Sequence, residues 1–546
     1  MKGSDVIAEI LKREGTEVIF AYPYQPLIES AAKVGIRPIL CRQERVGISM
    51  ADGYSRATSG KRLGVFTMQQ GPGTENAFPG AAQAFSDNIP ILMLPGGEET
   101  KKSFIRPNFQ AMENYRGVTK WMAQINHSER IPELMRRAFY NLRTGKGGPV
   151  VVETPRNILE LEELGNYKID YTPVKGNRVG PDPGDVKTVA ELLVKSKNLV
   201  IHSGQGINFA EAWNELRELA ELLQAPVMTT MPGKGALPES HPLALGSSAV
   251  STTKPISHFL QKADTVFGIG CSFTRTNYGK TIPAGKVIIH STNDPADVNK
   301  DYKADHALIG DSKLVLQALL DELRGNQAFK KKSRGEVAKE VQTVKKEWLN
   351  EWAPQLNSEE VPINQYRVIR DVMSIVDRNN TIVTHDAGSP RDQVVPFWET
   401  TAPMTYLGWG KSTQLGHGLG LIMGAKLANP DKLCINFMGD AAIGMVGMDL
   451  ETAARCKIGI LTIVFNNGAM AIERKSMPTA TEKYGTVFQT GDYRGVSKAL
   501  GGWSERVEKP KDIIPTVRKA IEATKSGQPA LVEIITKEGF DFSKYP

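Results

Sequence analysis

Cysteine and long apolar runs are both scarce in this 546-residue sequence. The four cysteines, Cys41, Cys271, Cys434 and Cys456, lie far apart and form no C-x-x-C pair, which argues against a disulfide framework or a zinc site. No apolar run approaches the ~20 residues of a membrane-spanning helix. The N-terminus also lacks the apolar core of a signal peptide. We therefore predict a cytoplasmic protein with no membrane partner.

Charge of one sign is also in little excess. The chain has 67 Lys and Arg against 60 Asp and Glu, a net charge of +7. That surplus is mild for this length, so we predict no nucleic-acid partner. It would attract an anionic small molecule such as a phosphate or an acyl-CoA ester, although a slightly basic solvated surface explains it equally well.

Helical and strand patterns alternate along the whole chain, which predicts an α/β protein with parallel sheets covered by helices. At about 150 residues per domain, the length allows three or four domains. We predict three consecutive doubly wound parallel-sheet domains, at 1–165, 186–325 and 362–546. A Gly- and Pro-containing linker is expected at 164–185. A Lys- and Glu-rich connecting helix is expected at 324–360, including Lys330, Lys331 and Lys332.

Two polar turns in the last domain follow apolar strands. Gly439-Asp440-Ala441 follows the strand signal at 433–438, and Asn466-Asn467 comes after a further 24 residues. Open α/β sheets bind anionic ligands at the carboxyl ends of their strands. A carboxylate and an amide oxygen there could share a hard cation such as Mg²⁺, with phosphate oxygens as further ligands. Each turn is common alone, and it is the pair at this spacing that favours a site.

These residues resemble the G-D-G-x(24–27)-N-N signature of thiamine diphosphate enzymes, with Ala441 replacing the third glycine. The resemblance is to the acetolactate synthase/pyruvate decarboxylase superfamily and covers essentially the whole chain. It implies pyrimidine-binding, middle and diphosphate-binding domains, and thiamine diphosphate with Mg²⁺ as cofactors. The implied metal ligands are the side chains of Asp440 and Asn467 and the carbonyl of Ala469. The implied cofactor-binding residues are Gly388, Ser389, Thr413, Leu415, Gly439, Ala441, Ala442, Asn467, Ala469 and Met470.

The segment around Glu44 is similar to the family's catalytic-glutamate segment. Glu44 stands between Gln43 and Arg45, and alone it would be read as a surface ion pair. The following loop, 71–76, matches the family in order and spacing. By the resemblance, Glu44 is the carboxyl group that activates the cofactor's aminopyrimidine ring. In relatives this glutamate serves a cofactor bound by another subunit, so a homodimer is the predicted minimum and a homotetramer is expected.

The loop at 407–420 is similar to the family's thiazolium-side loop. Leu415 falls at the bulky position that bends the cofactor, and Thr413 would offer its backbone carbonyl to the aminopyrimidine. Without that register, Leu415 would be read as an ordinary core residue.

Three residues bear on the substrate. Gln110, after Phe109, matches a Phe-Gln pair of acetolactate synthase, whereas Glu473 stands where pyruvate decarboxylases keep a proton-relay acid. Tyr115 together with Glu473 resembles bacterial 2-hydroxyacyl-CoA lyases. We therefore predict a lyase that gives formyl-CoA and an aldehyde or ketone, or runs in reverse as a condensation.

Other readings of these residues stay open. An acetolactate synthase-like enzyme acting on free 2-oxo acids is the alternative function, and a non-catalytic paralogue is a further one. Tyr115 could simply pack in the core. Glu473 could simply pair with Arg474 or Lys475.

The middle domain has glycine turns at 203–206 and 268–270 that could hold an adenine nucleotide, with Arg275 on a phosphate. Thr292 stands where an Asp often binds the ribose, and the family's FAD-type pattern is missing. FAD is therefore not expected, whereas ADP and CoA remain open.

Overall fold

The computed structural model describes residues 1–22, 26–161, 164–165, 167–325 and 335–546. It contains three six-stranded sheets, one after another along the chain, and the paired strands in each are parallel. The predicted α/β class and three-sheet architecture are therefore confirmed. The exact domain limits stay a prediction, and Lys330, Lys331 and Lys332 lie outside the described residues.

The N-terminal unit has the strand order β2-β1-β3-β4-β6-β5. Its strands are β1 Val18–Ala21, β2 Arg37–Leu40, β3 Gly64–Met68, β4 Ile91–Gly97, β5 Trp121–Gln124 and β6 Val150–Pro155. Its helices are α1 Gly3–Arg13, α2 Pro26–Lys33, α3 Glu44–Arg56, α4 Pro72–Ser86, α5 Ala111–Asn114 and α6 Ile131–Arg143.

The middle unit has the strand order β12-β11-β10-β7-β8-β9. Its strands are β7 Leu199–Ser203, β8 Val227–Thr230, β9 Ala244–Ser248, β10 Thr265–Ile269, β11 Val287–Thr292 and β12 His306–Ile309. Its helices are α7 Pro183–Lys195, α8 Gln205–Ala210, α9 Trp213–Leu223, α10 Lys254–Lys262 and α11 Ser312–Gly325. The long helix α12, Glu336–Leu356, connects it to the next unit.

The C-terminal unit has the strand order β14-β13-β15-β16-β18-β17. Its strands are β13 Thr381–His385, β14 Tyr406–Leu407, β15 Leu433–Gly439, β16 Leu461–Asn466, β17 Trp503–Val507 and β18 Ala530–Ile535. Its helices are α13 Gln365–Ile375, α14 Ser389–Phe397, α15 His417–Ala428, α16 Asp440–Val446, α17 Leu450–Arg455, α18 Pro478–Tyr484, α19 Tyr493–Ala499 and α20 Ile513–Lys525.

The N- and C-terminal units pack together through α3 and α15. A Cβ atom on Gly53 would lie 2.0 Å from the carbonyl oxygen of Leu421, and one on Gly424 would lie 1.9 Å from that of Met50. Only glycine allows the two helix backbones to come this close. Tyr54 belongs to an apolar cluster that contains residues of both units. This continuous core therefore fixes the N-terminal unit relative to the C-terminal unit.

Within the described residues, no helix is both long enough and apolar enough to cross a membrane.

Candidate active site

Asp440 and Asn467 lie on neighbouring strand ends. Strands β15 and β16 pair in parallel with Gly439 opposite Phe465, so the turns that follow them emerge at one sheet edge. The Asp440 side chain is buried, and its Oδ2 accepts the N–H of Gly468 at 2.8 Å. Its Oδ1 accepts the N–H of Ala441 at 2.8 Å. The two predicted ligand turns are thus joined directly through the Asp440 carboxylate.

The electrostatics of Asp440 suit a cation. Burial raises the pKa of this carboxyl above its usual value, and the N–H groups of Ala441 and Gly468 oppose that rise. A nearby cation would lower the pKa and favour the charged form. Asn467 is half-buried, and its Oδ1 accepts the N–H of Ala469 at 3.0 Å. All three predicted ligands therefore lie in two neighbouring turns that hydrogen bonds join.

The donor atoms fit Mg²⁺ with a bound diphosphate. Over the described ranges, no three His, Cys, Asp or Glu side chains gather into a metal site. A cation at Asp440 would therefore have one carboxylate and neutral oxygens from the protein, and would need further oxygen ligands. Mg²⁺ in proteins commonly takes one or two carboxylates together with phosphate oxygens. The residues present are consistent with that arrangement.

Two glycines predicted to bind the cofactor have open surroundings. A Cβ on Gly439 would meet only the Cγ of Pro390, at 3.9 Å, and one on Gly388 would meet nothing within 4 Å. Gly388 has φ +82° and immediately precedes α14, which begins at Ser389. Both glycines leave their backbone accessible, and their role in cofactor binding stays a prediction.

Glu44 is the first residue of α3 and is buried at 5% exposure. Burial raises its pKa, and a hydrogen bond with Asn76 opposes the rise. Asn76 belongs to the 71–76 segment that the sequence matched to the same site, so the structure brings these two segments together. A carboxyl group with a raised pKa can exchange a proton nearer to neutral pH than an exposed one can.

Tyr115 lies close to Glu44. Its ring is almost fully buried, and its hydroxyl donates to the carbonyl oxygen of Thr74 at 2.6 Å. Burial, and then the charge of Glu44, raise the pKa of this phenol. The rings of Phe78 and Phe109 meet Tyr115 edge-on, at centroid distances of 5.2 and 6.4 Å. Tyr115 is thus both a packed core residue and a neighbour of Glu44.

The loop that carries Leu415 lies against the Glu44 end of α3. Arg45 Nη2 donates to the carbonyl oxygen of Leu415 at 2.5 Å, and Ser49 Oγ is 2.8 Å from His417 Nδ1. Leu415 is half-buried, and Thr413 has a left-handed backbone with φ +54°. These contacts are all within one chain. Whether Glu44 serves a cofactor held by a second subunit stays a prediction.

Asp386 joins the 386–389 and 413–418 loops, a role that the sequence did not reveal. Its Oδ1 accepts the N–H groups of Ala387 and Gly416, each at 2.8 Å, and its Oδ2 accepts that of Gly418 at 2.9 Å. Burial raises its pKa to about 6 in spite of these bonds. The available signal was an acidic residue directly after a buried strand, the same signal that identified Asp440.

Glu473 and Gln110 are less enclosed. Glu473 is exposed in the 3₁₀ helix Ala471–Ser476, and its neighbour Arg474 forms an ion pair with Glu538. Among the described residues, Glu473 forms no ion pair with Arg474 or Lys475, the two partners that the sequence suggested. Gln110 binds its own loop, accepting from the Phe104 N–H at 3.2 Å. Met470 is 40% exposed. No contact among the described residues joins Glu473 to Glu44 or Tyr115.

A separate cleft of about 400 Å³ lies where the three units meet, and both glycine turns of the middle unit line it. His202 in this cleft is buried, and neither of its ring nitrogens has a hydrogen-bond partner among the described residues. Burial lowers its pKa to about 4, so its ring is neutral at pH 7. Arg275, expected on a phosphate, instead stacks over Tyr302 at 4.4 Å and is not among the lining residues.

The loops at Asp440, Gly388 and Leu415 belong to the C-terminal unit, and Arg45, next to the buried Glu44, binds the Leu415 loop. Three family models agree with this site: the thiamine pyrophosphate enzyme N-terminal binding domain matches residues 1–120, the central domain 186–319, and the C-terminal binding domain 386–534. The chain belongs to the thiamine pyrophosphate (thiamine diphosphate) enzyme family.

Its curated relatives are similar over almost their whole length. The chain is 30% identical over 551 residues to a Methanococcus aeolicus protein named probable acetolactate synthase large subunit, covering 95% of this chain and 90% of that one. A Methanocaldococcus jannaschii protein of the same name is 30% identical over 556 residues, with 98% and 92% covered. Acetolactate synthase isozyme 3 large subunit of Escherichia coli is 25% identical, with 98% and 94% covered. The predicted superfamily is confirmed, whereas the particular likeness to 2-hydroxyacyl-CoA lyases stays a prediction.

Proposed function

We propose that this protein is a thiamine diphosphate- and Mg²⁺-dependent enzyme that decarboxylates a 2-oxo acid and joins the product to a second carbonyl compound. The observation that carries this is the buried Glu44 beside the loop that presents Leu415. The names of the relatives support a 2-oxo acid substrate. The sequence analysis gave this function as the alternative, and we now prefer it to the 2-hydroxyacyl-CoA lyase.

The residues of the C-terminal unit would hold the cofactor. Asp440, the Asn467 side chain and the Ala469 carbonyl would bind Mg²⁺, and the Thr413 carbonyl and Leu415 would hold the two rings. The remaining positions that we assign to cofactor binding are Gly388, Ser389, Gly439, Ala441, Ala442 and Met470. When bound, thiamine diphosphate supplies the electron sink for making or breaking a carbon–carbon bond.

Glu44 would hold and transfer a proton at a ring nitrogen of the cofactor. Its buried position would exclude water from that hydrogen bond, and burial raises its pKa toward the range in which it can exchange a proton. Tyr115, Phe78 and Phe109 would form an apolar wall on the same side, which orients a small substrate and keeps water out. Gln110, next to Phe109, and Glu473 would lie at the rim.

A second candidate is the 2-hydroxyacyl-CoA lyase, favoured by the Tyr115 hydroxyl beside Glu44. In that reaction Tyr115 and Glu473 would move the proton of the substrate hydroxyl. The exposure of Glu473 and the hydrogen bond from Tyr115 to Thr74 weaken this candidate.

The two functions separate in one assay. The protein is incubated with thiamine diphosphate, Mg²⁺ and either pyruvate alone or formyl-CoA with an aldehyde. We expect pyruvate to be consumed with release of CO₂ and formation of a new carbon–carbon bond, without any requirement for CoA. Turnover of formyl-CoA and aldehyde with no reaction of pyruvate would establish the lyase instead. Inactivity toward both, in protein that binds the cofactor, would leave the binding-only paralogue.

Replacing Tyr115 by phenylalanine tests the role of its hydroxyl. The variant loses the hydrogen bond to Thr74, so we expect the free energy of unfolding to fall by about 1 kcal/mol. If the hydroxyl is only structural, kcat should change by no more than about threefold. If it transfers a proton in the reaction, kcat should fall about 100-fold or more. Tyr171→Phe, in which another tyrosine loses its bond to Glu14, is the matched control. A loss of kcat above 100-fold in Tyr115→Phe alone would favour the lyase.

The remaining expectations are proposals of the same kind. We propose that the middle-unit cleft takes ADP or the nucleotide part of CoA rather than FAD, supported by its two glycine turns and by the buried, unpartnered His202. We also propose a homodimer or homotetramer that works in the cytoplasm.

A further inference from the structure

The loop 408–417 is held mainly by side chains of the N-terminal unit. Arg56 Nη1 donates to the carbonyl oxygen of Gly408 at 2.8 Å. The Gln83 side chain accepts the N–H of Gln414 at 3.1 Å. Together with the Arg45 bond to Leu415, these contacts reach both ends of the loop. The conformation that presents Thr413 and Leu415 therefore depends on residues more than 300 positions earlier in the chain.

Asp87 is at the centre of these contacts. It follows α4, and its side chain is completely buried. Its Oδ1 accepts the N–H of Lys411 at 3.2 Å, and its Oδ2 accepts that of Gly410 at 3.3 Å. Oδ2 also accepts from Gln83 Nε2 at 2.9 Å and from Arg56 Nη2 at 3.3 Å. One buried carboxylate thus accepts from two backbone donors of the loop and from Arg56 and Gln83, two of the three side chains that hold its flanks.

This arrangement requires the negative charge. A buried carboxylate must be surrounded by donors, and two of the four donors here belong to the loop backbone. Arg56 is in turn fixed by Asp52, which binds its Nε at 2.8 Å and its Nη2 at 2.9 Å. Displacement of Gly410 or Lys411 would therefore leave the Asp87 carboxylate without one of its backbone donors.

We propose that Asp87 is a positioning residue that sets the loop 408–417 in its cofactor-binding conformation before the cofactor arrives. The inference rests on the proposed function, because Thr413 and Leu415 are taken to hold the cofactor rings. Asp87 itself contacts neither Thr413 nor Leu415. It acts through the backbone of Gly410 and Lys411.

The test is Asp87→Asn, which keeps the side-chain volume but removes the charge and one acceptor oxygen. At least one of the two backbone N–H groups then loses its partner. We expect faster hydrogen exchange of the 408–417 backbone in cofactor-free protein, measured by mass spectrometry, and a Kd for thiamine diphosphate raised at least about tenfold, measured by calorimetry. Gln83→Leu removes both the acceptor for Gln414 and the Nε2 donor to Asp87, and should change the loop in the same direction.

The matched control is Asp371→Asn. Asp371 is also buried and pairs with arginines, accepting from Arg367 Nε at 2.8 Å and Arg370 Nη2 at 2.8 Å. It lies on α13 and has no contact with the loop among the described residues. We expect this variant to leave loop exchange and the Kd unchanged, whatever its effect on unfolding.

Unchanged loop exchange and Kd in Asp87→Asn would overturn the proposal, as would equal changes in Asp371→Asn. If Asp87→Asn does not fold, Gln83→Leu decides between the outcomes by the same two measurements. Failure of the wild-type protein to bind thiamine diphosphate would instead refute the proposed function. That outcome can be distinguished from failure of the Asp87 proposal, because loop exchange is measured without cofactor.

Discussion

Glu44→Gln is expected to lower turnover by roughly 100- to 10,000-fold at saturating cofactor. Glutamine has nearly the same shape, so the buried position of residue 44 and its neighbours should be retained. It cannot exchange the proton that we assign to Glu44, and a buried site offers no water to replace it. The measurement is kcat toward pyruvate, with the Kd for thiamine diphosphate determined in parallel.

The matched control is Glu75→Gln. Glu75 lies next to Asn76 in the same segment, but its side chain is exposed. An exposed substitution of this kind should change kcat by no more than about twofold. Full activity in Glu44→Gln would show that the cofactor is activated by another group, and the assignment of the whole site would then have to be withdrawn.

Asp440→Asn is expected to weaken thiamine diphosphate binding in Mg²⁺ by at least about 100-fold, because the cation loses the only carboxylate that we assign to it. The substitution also weakens the bond that joins the two ligand turns, since an amide cannot accept from both Ala441 and Gly468. Calorimetric titration of each variant with the cofactor, at a fixed Mg²⁺ concentration, measures the change.

Asp431→Asn is the control for this variant. Asp431 is exposed in the turn that precedes β15, so its loss changes the net charge equally without touching the ligand turn. An unchanged Kd in Asp440→Asn would mean that the metal is bound elsewhere, whereas equal weakening in both variants would indicate a general charge effect.

The central strands of the three sheets were predictable from the sequence. The sequences of β1, β4, β6 and β15 are apolar runs that form largely buried strands, because strands covered by helices on both faces need apolar residues at every position. Strands β2 and β5 are harder to recognise. They are at the two edges of the first sheet and are only partly buried, so their sequences carry a weaker pattern.

The residues of the proposed cofactor site also differ in how easily the sequence reveals them. The Asp440 turn was recognisable because its residues are close together in the sequence and follow a strand. Asp87 was not, because its partners Gly410 and Lys411 are 323 and 324 positions away, and no local pattern marks a side chain that binds a distant backbone. Asp386 lies between these cases, since it follows a strand but binds the distant Gly416 and Gly418.

The substrate residues were the least predictable. Tyr115 and Glu473 were paired in the sequence reading because both resemble one group of enzymes. The structure buries Tyr115 beside Glu44 and leaves Glu473 exposed. A residue type at a matching position does not determine its burial, which depends here on the packing of Phe78 and Phe109 around Tyr115 and on the pairing of Arg474 with Glu538.

The most direct test of the central claim is the binding of thiamine diphosphate to the wild-type protein, with and without Mg²⁺. Calorimetry is performed with thiamine diphosphate in Mg²⁺, with the same ligand in EDTA, and with thiamine in Mg²⁺. Because the protein is proposed to hold the diphosphate through a metal at Asp440, we expect tight binding in the first titration only, with the Kd at least about 100-fold weaker in EDTA. Equal binding in EDTA, or no binding with Mg²⁺ present, would contradict the account.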